Sequence, residues 1–191
     1  ALSGTLRPTL LRIWGPACYT LRPALLKKEF GSVIPFSHNH GAWELEGGRL
    51  TLLCEKEAQA FTGNYFMRNC QLEAHITPRN GTQALVALRA QGARRGYYAG
   101  LYGAGCAAIM VMHEGEMRLL AQMPLDWVLD REYTLHLRAQ GDRLTLTVDG
   151  KTLEATDGSL AYGMAGYAMF AMGRADFGDL TIREFTSDEE E

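Results

Sequence analysis

YTLHLRAQGDRLTLTVDGKTL, residues 133–153, decides the fold class. Tyr133, Leu135 and Leu137 alternate with Thr134, His136 and Arg138. Leu144, Leu146 and Val148 alternate with Arg143, Thr145 and Thr147. A period of two sends one set of side chains into a core and leaves the other on an open face. Gln140-Gly141-Asp142 and Asp149-Gly150 supply the reversals, because Gly adopts positive φ freely and Asp tolerates it. The stretch predicts two antiparallel strands and the start of a third.

Outward from this hairpin the same pattern recurs. Trp43 and Leu45 alternate with Glu44 and Glu46, Gly47-Gly48 turns the chain, and residues 49–54 run back. Leu72, Ala74 and Ile76 share one face of a strand that a turn at 78–81 is expected to end. Residues 82–91 are apolar on both faces except at Arg89, which predicts a central strand. Further strands are expected at 96–102, 106–113, 116–122, 162–172 and 176–185, with an irregular connection at 124–127. Many short strands, with turn residues about every 8–12 positions, predict a β-sandwich or barrel. Leu10, Leu11 and Ile13 suggest an early strand. Residues 24–29, between Pro23 and Gly31, suggest a short helix. The expected division is a lead-in segment at 1–30, a sandwich at 31–186 and an acidic tail at 187–191.

The 191 residues, 47% of them hydrophobic, suffice for one core. A net charge of −3 gives no basic face for nucleic acid. No apolar run approaches the roughly 20 residues of a membrane helix. The first residues lack the apolar core of a signal peptide, which favours the cytoplasm, although a start at Ala1 fits a processed product or an excised domain and leaves localisation open. Cys18, Cys54, Cys70 and Cys106 have neither zinc-knuckle nor redox CxxC spacing, so buried reduced thiols are expected.

The segments GAWELEGGRLTLLC, NCQLEAHITP, RRGYYAGLYG, REYTLHLRAQGDRLTLTVDGKTL and GMAGYAMFAMGRADFGDLTIREF, in that order, resemble the concanavalin A-like jelly rolls, over about residues 30–186. The flavour is that of the laminin G-like branch, with its carbohydrate-binding modules and keto-disaccharide hydrolase-like domains. The resemblance implies two antiparallel sheets forming an all-β jelly-roll sandwich, with ligands on a concave face or a loop rim. It also implies that many members are non-catalytic modules beside an enzyme, and it admits a structural calcium ion. The chain lacks the ExDxxE strand of the related glucanases, so their activity does not carry over.

Glycosidic hydrolysis needs paired carboxylates. Glu44 and Glu46 share a strand face but read as the solvent side of an edge strand. His38 and His40 could begin a metal site but have no evident third ligand. No GxSxG or phosphate-cradling glycine motif is present. The most suggestive group is Arg89, Arg94, Arg95, Tyr97, Tyr98 and Tyr102. Rings with polar tips and guanidinium forks suit the apolar faces and hydroxyls of a sugar. Tyr98, Gly100 and Tyr102 alternate onto one face, with Gly100 leaving room between two rings, while Tyr97, Ala99 and Leu101 should face the core. Arg89, a charge in an apolar strand, requires a partner, and a salt bridge is the ordinary one. The candidate ligand-binding residues are Arg89, Arg95, Tyr98, Tyr102, Trp127, His136 and Arg138, the last two only if their face is hollow. No catalytic or metal-ligating residue is assigned.

The leading expectation is a non-catalytic carbohydrate- or glycoside-binding accessory module, covalently linked to a catalytic domain, with no nucleic-acid or membrane partner. The alternatives are a glycosyl-bond hydrolase of the keto-disaccharide type, an accessory domain of a hydrolase acting on ADP-ribosyl bonds, and a protein-interaction module.

Overall fold

In the computed structural model, residues 18–21 and 37–185 are described. The expected early strand at 10–13, the short helix at 24–29 and the acidic tail lie outside them. Fifteen strands are described: β1 (Cys18–Leu21), β2 (Ser37–Asn39), β3 (Ala42–Glu46), β4 (Arg49–Cys54), β5 (Ala58–Thr62), β6 (Cys70–Gly81), β7 (Gln83–Ala90), β8 (Gly96–Tyr102), β9 (Cys106–His113), β10 (Glu116–Pro124), β11 (Tyr133–Gln140), β12 (Arg143–Val148), β13 (Lys151–Thr156), β14 (Met164–Met169) and β15 (Gly173–Glu184). β1 falls within the expected lead-in segment, yet it is a strand of the larger sheet. The turn expected at 78–81 is instead the end of β6.

The strands form two antiparallel sheets. One has eight strands in the order β13-β12-β11-β6-β15-β4-β3, with β1 pairing β15 beyond the reach of β4. The other has seven, in the order β10-β9-β8-β7-β14-β5-β2. The opening hairpin is β11–β12, with Leu137 opposite Leu146 and Leu135 opposite Val148. β6 continues the register on the other side, with Leu72 opposite Leu137 and Ala74 opposite Leu135. Their apolar side chains meet Val86, Leu88, Tyr97, Ala99, Leu101, Ile109 and Tyr167 of the facing sheet in a single core. Each fully buried large side chain contributes about 1.5–3 kcal/mol. Tyr167 and Phe177 stack with centroids 4.2 Å apart. Cys54, Cys70 and Cys106 are free, with the first two buried; burial pushes the Cys70 thiol up to about 12.

The Arg89 side chain is 2% exposed, and its partners correct the expectation of a salt bridge. Nε donates to the Arg68 carbonyl at 2.9 Å, and Nη1 donates to the Gly141 and Leu160 carbonyls at 2.7 and 3.0 Å. A φ of +50° at Arg89 accompanies an irregularity in the β7–β14 register. Gly163, at φ +153°, makes this possible, because a Cβ there would stand 2.2 Å from the Arg89 carbonyl carbon. A second buried polar centre joins the sheets near β10 and β13. Tyr97 Oη donates to the Asp157 carboxylate at 2.8 Å, and Arg118 bridges to the same carboxylate at 2.5 Å. Burial acts to raise the Asp157 pKa, but hydrogen bonds from Ser159, Tyr97 and Arg118 prevail and hold it at about 2.

Two predictions follow from these centres. Arg89→Leu removes three hydrogen bonds to backbone carbonyls, that of Leu160 buried, and should cost on the order of 3 kcal/mol, read as a lower urea midpoint at constant m. Asp157 has a folded pKa below its ordinary value, so its contribution is present above about pH 4 and is lost as pH falls toward 2. The urea midpoint of the wild type should therefore drop between pH 5 and pH 2.5 more steeply than that of Asp157→Asn.

Candidate functional site

The outward face of the eight-stranded sheet carries the polar half of the alternation. Strand register sets it out in rows. Arg183, Gln71, Arg138 and Thr145 lie side by side across β15, β6, β11 and β12. Thr181, Glu73, His136 and Thr147 form the next row. Together these eight side chains line a depression of about 390 Å³. Three hydroxyls, a carboxamide, a carboxylate, an imidazole and two guanidiniums face one volume, supplying both donors and acceptors.

The charged groups are braced. The Arg138 guanidinium carbon sits 4.2 Å from the Phe185 ring centroid, and its Nη2 donates to Gln140 Oε1 at 2.9 Å. Glu73 lies between two imidazoles, 3.6 Å from His75 Nε2 and 3.5 Å from His136 Nδ1. His75 also meets Thr134 Oγ1 at 3.2 Å and Glu132 at 3.9 Å, and Glu132 pairs with Arg49. Stacking and pairing fix rotamers that would otherwise lose entropy on contact with a ligand.

The remaining sequence-predicted residues do not join this face. Arg89 is the enclosed hydrogen-bonding hub described above, with its donors turned to backbone. Tyr98 lies on the outward face of the seven-stranded sheet, fully buried in a second apolar cluster with Phe61, Leu85, Met110 and Met112. It packs edge-on against Phe170, 4.8 Å between centroids. Tyr102 is half-buried beside the same cluster. Arg95 meets His113 Nε2 at 3.1 Å. Trp127 packs against the main core with its Nε1 buried and unpartnered. At Gly100, φ +145°, an added Cβ would meet the Ala84 carbonyl oxygen at 2.6 Å and Leu135 Cδ2 at 2.8 Å. Tyr97, Ala99 and Leu101 face the core as expected.

Among the described residues, three buried polar atoms on the seven-stranded side have no hydrogen-bond partner: Tyr98 Oη, Gln59 Oε1 and Arg95 Nε. Burial, with the Glu57 charge adding to it, pushes the Tyr98 phenol above its ordinary pKa. Among the described residues, no group of three or more His, Cys, Asp or Glu side chains could hold a metal ion. They offer no such cluster to the calcium ion that the resemblance admits. His40 reaches Glu57 at 3.6 Å, whereas the side chain of His38 is outside the described set.

Sequence reasoning also missed an aromatic group at one end of the sandwich. Tyr65 and Phe66, on the β5–β6 loop, meet Tyr162 of the β13–β14 loop at centroid distances of 5.6 and 6.1 Å. Adjacent Tyr65 and Phe66 were the only available signal, since Tyr162 is about 100 residues away in sequence and only folding brings it there.

No family model and no curated protein sequence matches the chain. Solved structures do. A carbohydrate-binding module of family 66 from Bacillus subtilis superposes with a TM-score of 0.73 at 18% identity, covering 78% of this chain and 96% of that one. The exoplasmic/lumenal domain of VIP36, in its Ca2+/Man3GlcNAc-bound form, gives 0.62 at 14% identity, covering 82% and 86%. A protein of unknown function with a galectin-like fold, also from Bacillus subtilis, gives 0.61 at 13% identity, covering 89% and 98%. These structures share the two-sheet jelly-roll sandwich fold, which the sequence resemblance implied.

The unpartnered Tyr98 hydroxyl makes its own prediction. Tyr98→Phe removes a desolvated donor and keeps the ring against Phe170, so stability should stay level or rise by about 1 kcal/mol. A fall of that size in thermal or urea unfolding would show that the hydroxyl has a partner.

Proposed function

We propose that this chain is a non-catalytic carbohydrate-binding module, with the sugar held in the depression on the outward face of the eight-stranded sheet. The observation that carries the reading is the lining itself. Thr145, Thr147 and Thr181 offer groups that both donate and accept, Gln71 does the same through its amide, and Arg138 and Arg183 offer forks of donors. A sugar presents closely spaced hydroxyls of the same dual character. The braced Arg138 and the contacts of Glu73 with His75 and His136 hold the lining in place, so the hydroxyls of a bound sugar replace water at little ordering cost. The neighbours in fold include a carbohydrate-binding module and a domain solved with Man3GlcNAc bound, which supports the same reading.

Binding is favoured over hydrolysis because Glu73 is the only carboxylate among the described lining residues. Both routes of glycoside hydrolysis use two. Glu73 is also engaged by His75 and His136. An accessory role beside a covalently linked catalytic domain fits a module that holds a substrate without cleaving it.

Calorimetry against a panel of neutral oligosaccharides tests the reading. The wild type should bind at least one saccharide without releasing reducing sugar. Arg138→Ala and Arg183→Ala should each weaken that binding about tenfold or more, equivalent to about 1.4 kcal/mol. No binding to any saccharide, or equal binding by the Arg138→Ala/Arg183→Ala double variant, would overturn it.

A further inference from the structure

We infer that Tyr65, Phe66 and Tyr162 form a stacking subsite for a further ring of a bound oligosaccharide, at the end of the sandwich next to the depression. The inference rests on the carbohydrate-binding reading and adds chain length to it.

Three rings gather on two loops, with Tyr65 38% and Phe66 58% exposed. Tyr65 and Phe66 pack edge-to-face at 5.3 Å and 90°, Tyr65 and Tyr162 at 5.6 Å and 67°. Each ring thus buttresses the others while part of the group stays open to water. The loops beneath them are fastened. Phe66 N donates to Asn64 Oδ1, and Met67, fully buried, donates its N–H to the Asn64 carbonyl. Gly163 N donates to the Met67 carbonyl, which ties one loop to the other. Gln91 Nε2 donates to the Tyr162 carbonyl, and Arg89 holds the Arg68 carbonyl. A platform ordered before the ligand arrives loses little entropy when it stacks.

The platform and the depression lie at the same end of β6. The β5–β6 loop ends at Asn69, and Gln71, the second residue of β6, lines the depression. Asn69 accepts the Gly141 N–H through its side chain and the Phe185 N–H through its carbonyl. Phe185 is the ring on which the Arg138 guanidinium lies. The ring-bearing loop and the residues that brace the depression are therefore tied to each other through Asn69.

The occupant follows from size and chemistry. A stable protein partner covers about 800 Å² on each side. Three partly exposed rings offer at most a few hundred Å². That area suits the C–H face of one sugar ring, and the two phenolic hydroxyls can meet its hydroxyls. Beside the polar depression, such a face is suited to the next residue of the same chain.

The test compares glucose, mannose and xylose with their β-1,4-linked tetrasaccharides by calorimetry. The wild type should prefer a tetrasaccharide over its monosaccharide by about tenfold or more. In Tyr65→Ala/Tyr162→Ala that ratio should fall to about one, whereas in Tyr162→Phe, which keeps the ring, it should persist. Arg138→Ala should weaken binding of both ligands about tenfold or more and leave their ratio standing. A preference that survives loss of the rings, or a wild type indifferent to chain length, overturns the subsite and leaves the depression standing. A wild type that binds none of the saccharides overturns both. Because Tyr162→Leu keeps bulk without a ring face, it replaces the double variant if that variant does not fold, with the same loss of ratio expected.

Discussion

One buried guanidinium ties one end of this sandwich together. Arg89 leaves the β7 backbone at a positive φ and reaches the carbonyls of Arg68, Gly141 and Leu160, each on a different connection between strands. A charge without solvent is costly, and backbone carbonyls in good geometry offset that cost. The arrangement ties the three connections to one side chain. The β5–β6 loop carries two of the aromatic rings, the β13–β14 loop the third, and Gly141 closes the hairpin whose strands line the depression. The bare backbone at Gly163 permits this approach.

The fold was legible because its signal is local. Alternation in 133–153 gives strand, face and turn positions directly, and the same pattern marks β3, β4 and β6. Its limits also have physical causes. β6 runs on through Pro78 to Gly81 because pairing with β15 continues as far as Gly173, and Pro78 sits at an irregularity in that register. The resemblance implied the jelly roll, and solved structures of 13–18% identity share it, since many sequences satisfy the same alternation.

The site was legible in part. His136 and Arg138 were singled out as outward residues of the hairpin, and both line the depression. Their neighbours Gln71, Glu73, Thr181 and Arg183 come from β6 and β15, whose adjacency to β11 and β12 is a matter of sheet order. The Arg89–Tyr102 segment drew attention as a run of polar rings and cations. Alternation disperses it instead: Tyr97 to the core, Tyr98 into the outer apolar cluster, Arg89 to backbone carbonyls. Sequence proximity along a strand guarantees opposite faces for successive residues, so a dense cluster in sequence is seldom a cluster in space.

The sequence by itself determined the class of structure, the open and buried faces of the central hairpin and the lack of a catalytic motif, because these depend on residues within a few positions of one another. Tertiary structure alone decided which polar faces meet. It brought Arg183 and Arg138 into one row across β15, β6 and β11, set Tyr162 against Tyr65 and Phe66, and gave Arg89 carbonyls in place of a carboxylate. Those contacts join residues far apart in the chain, and strand order and register, not composition, select them.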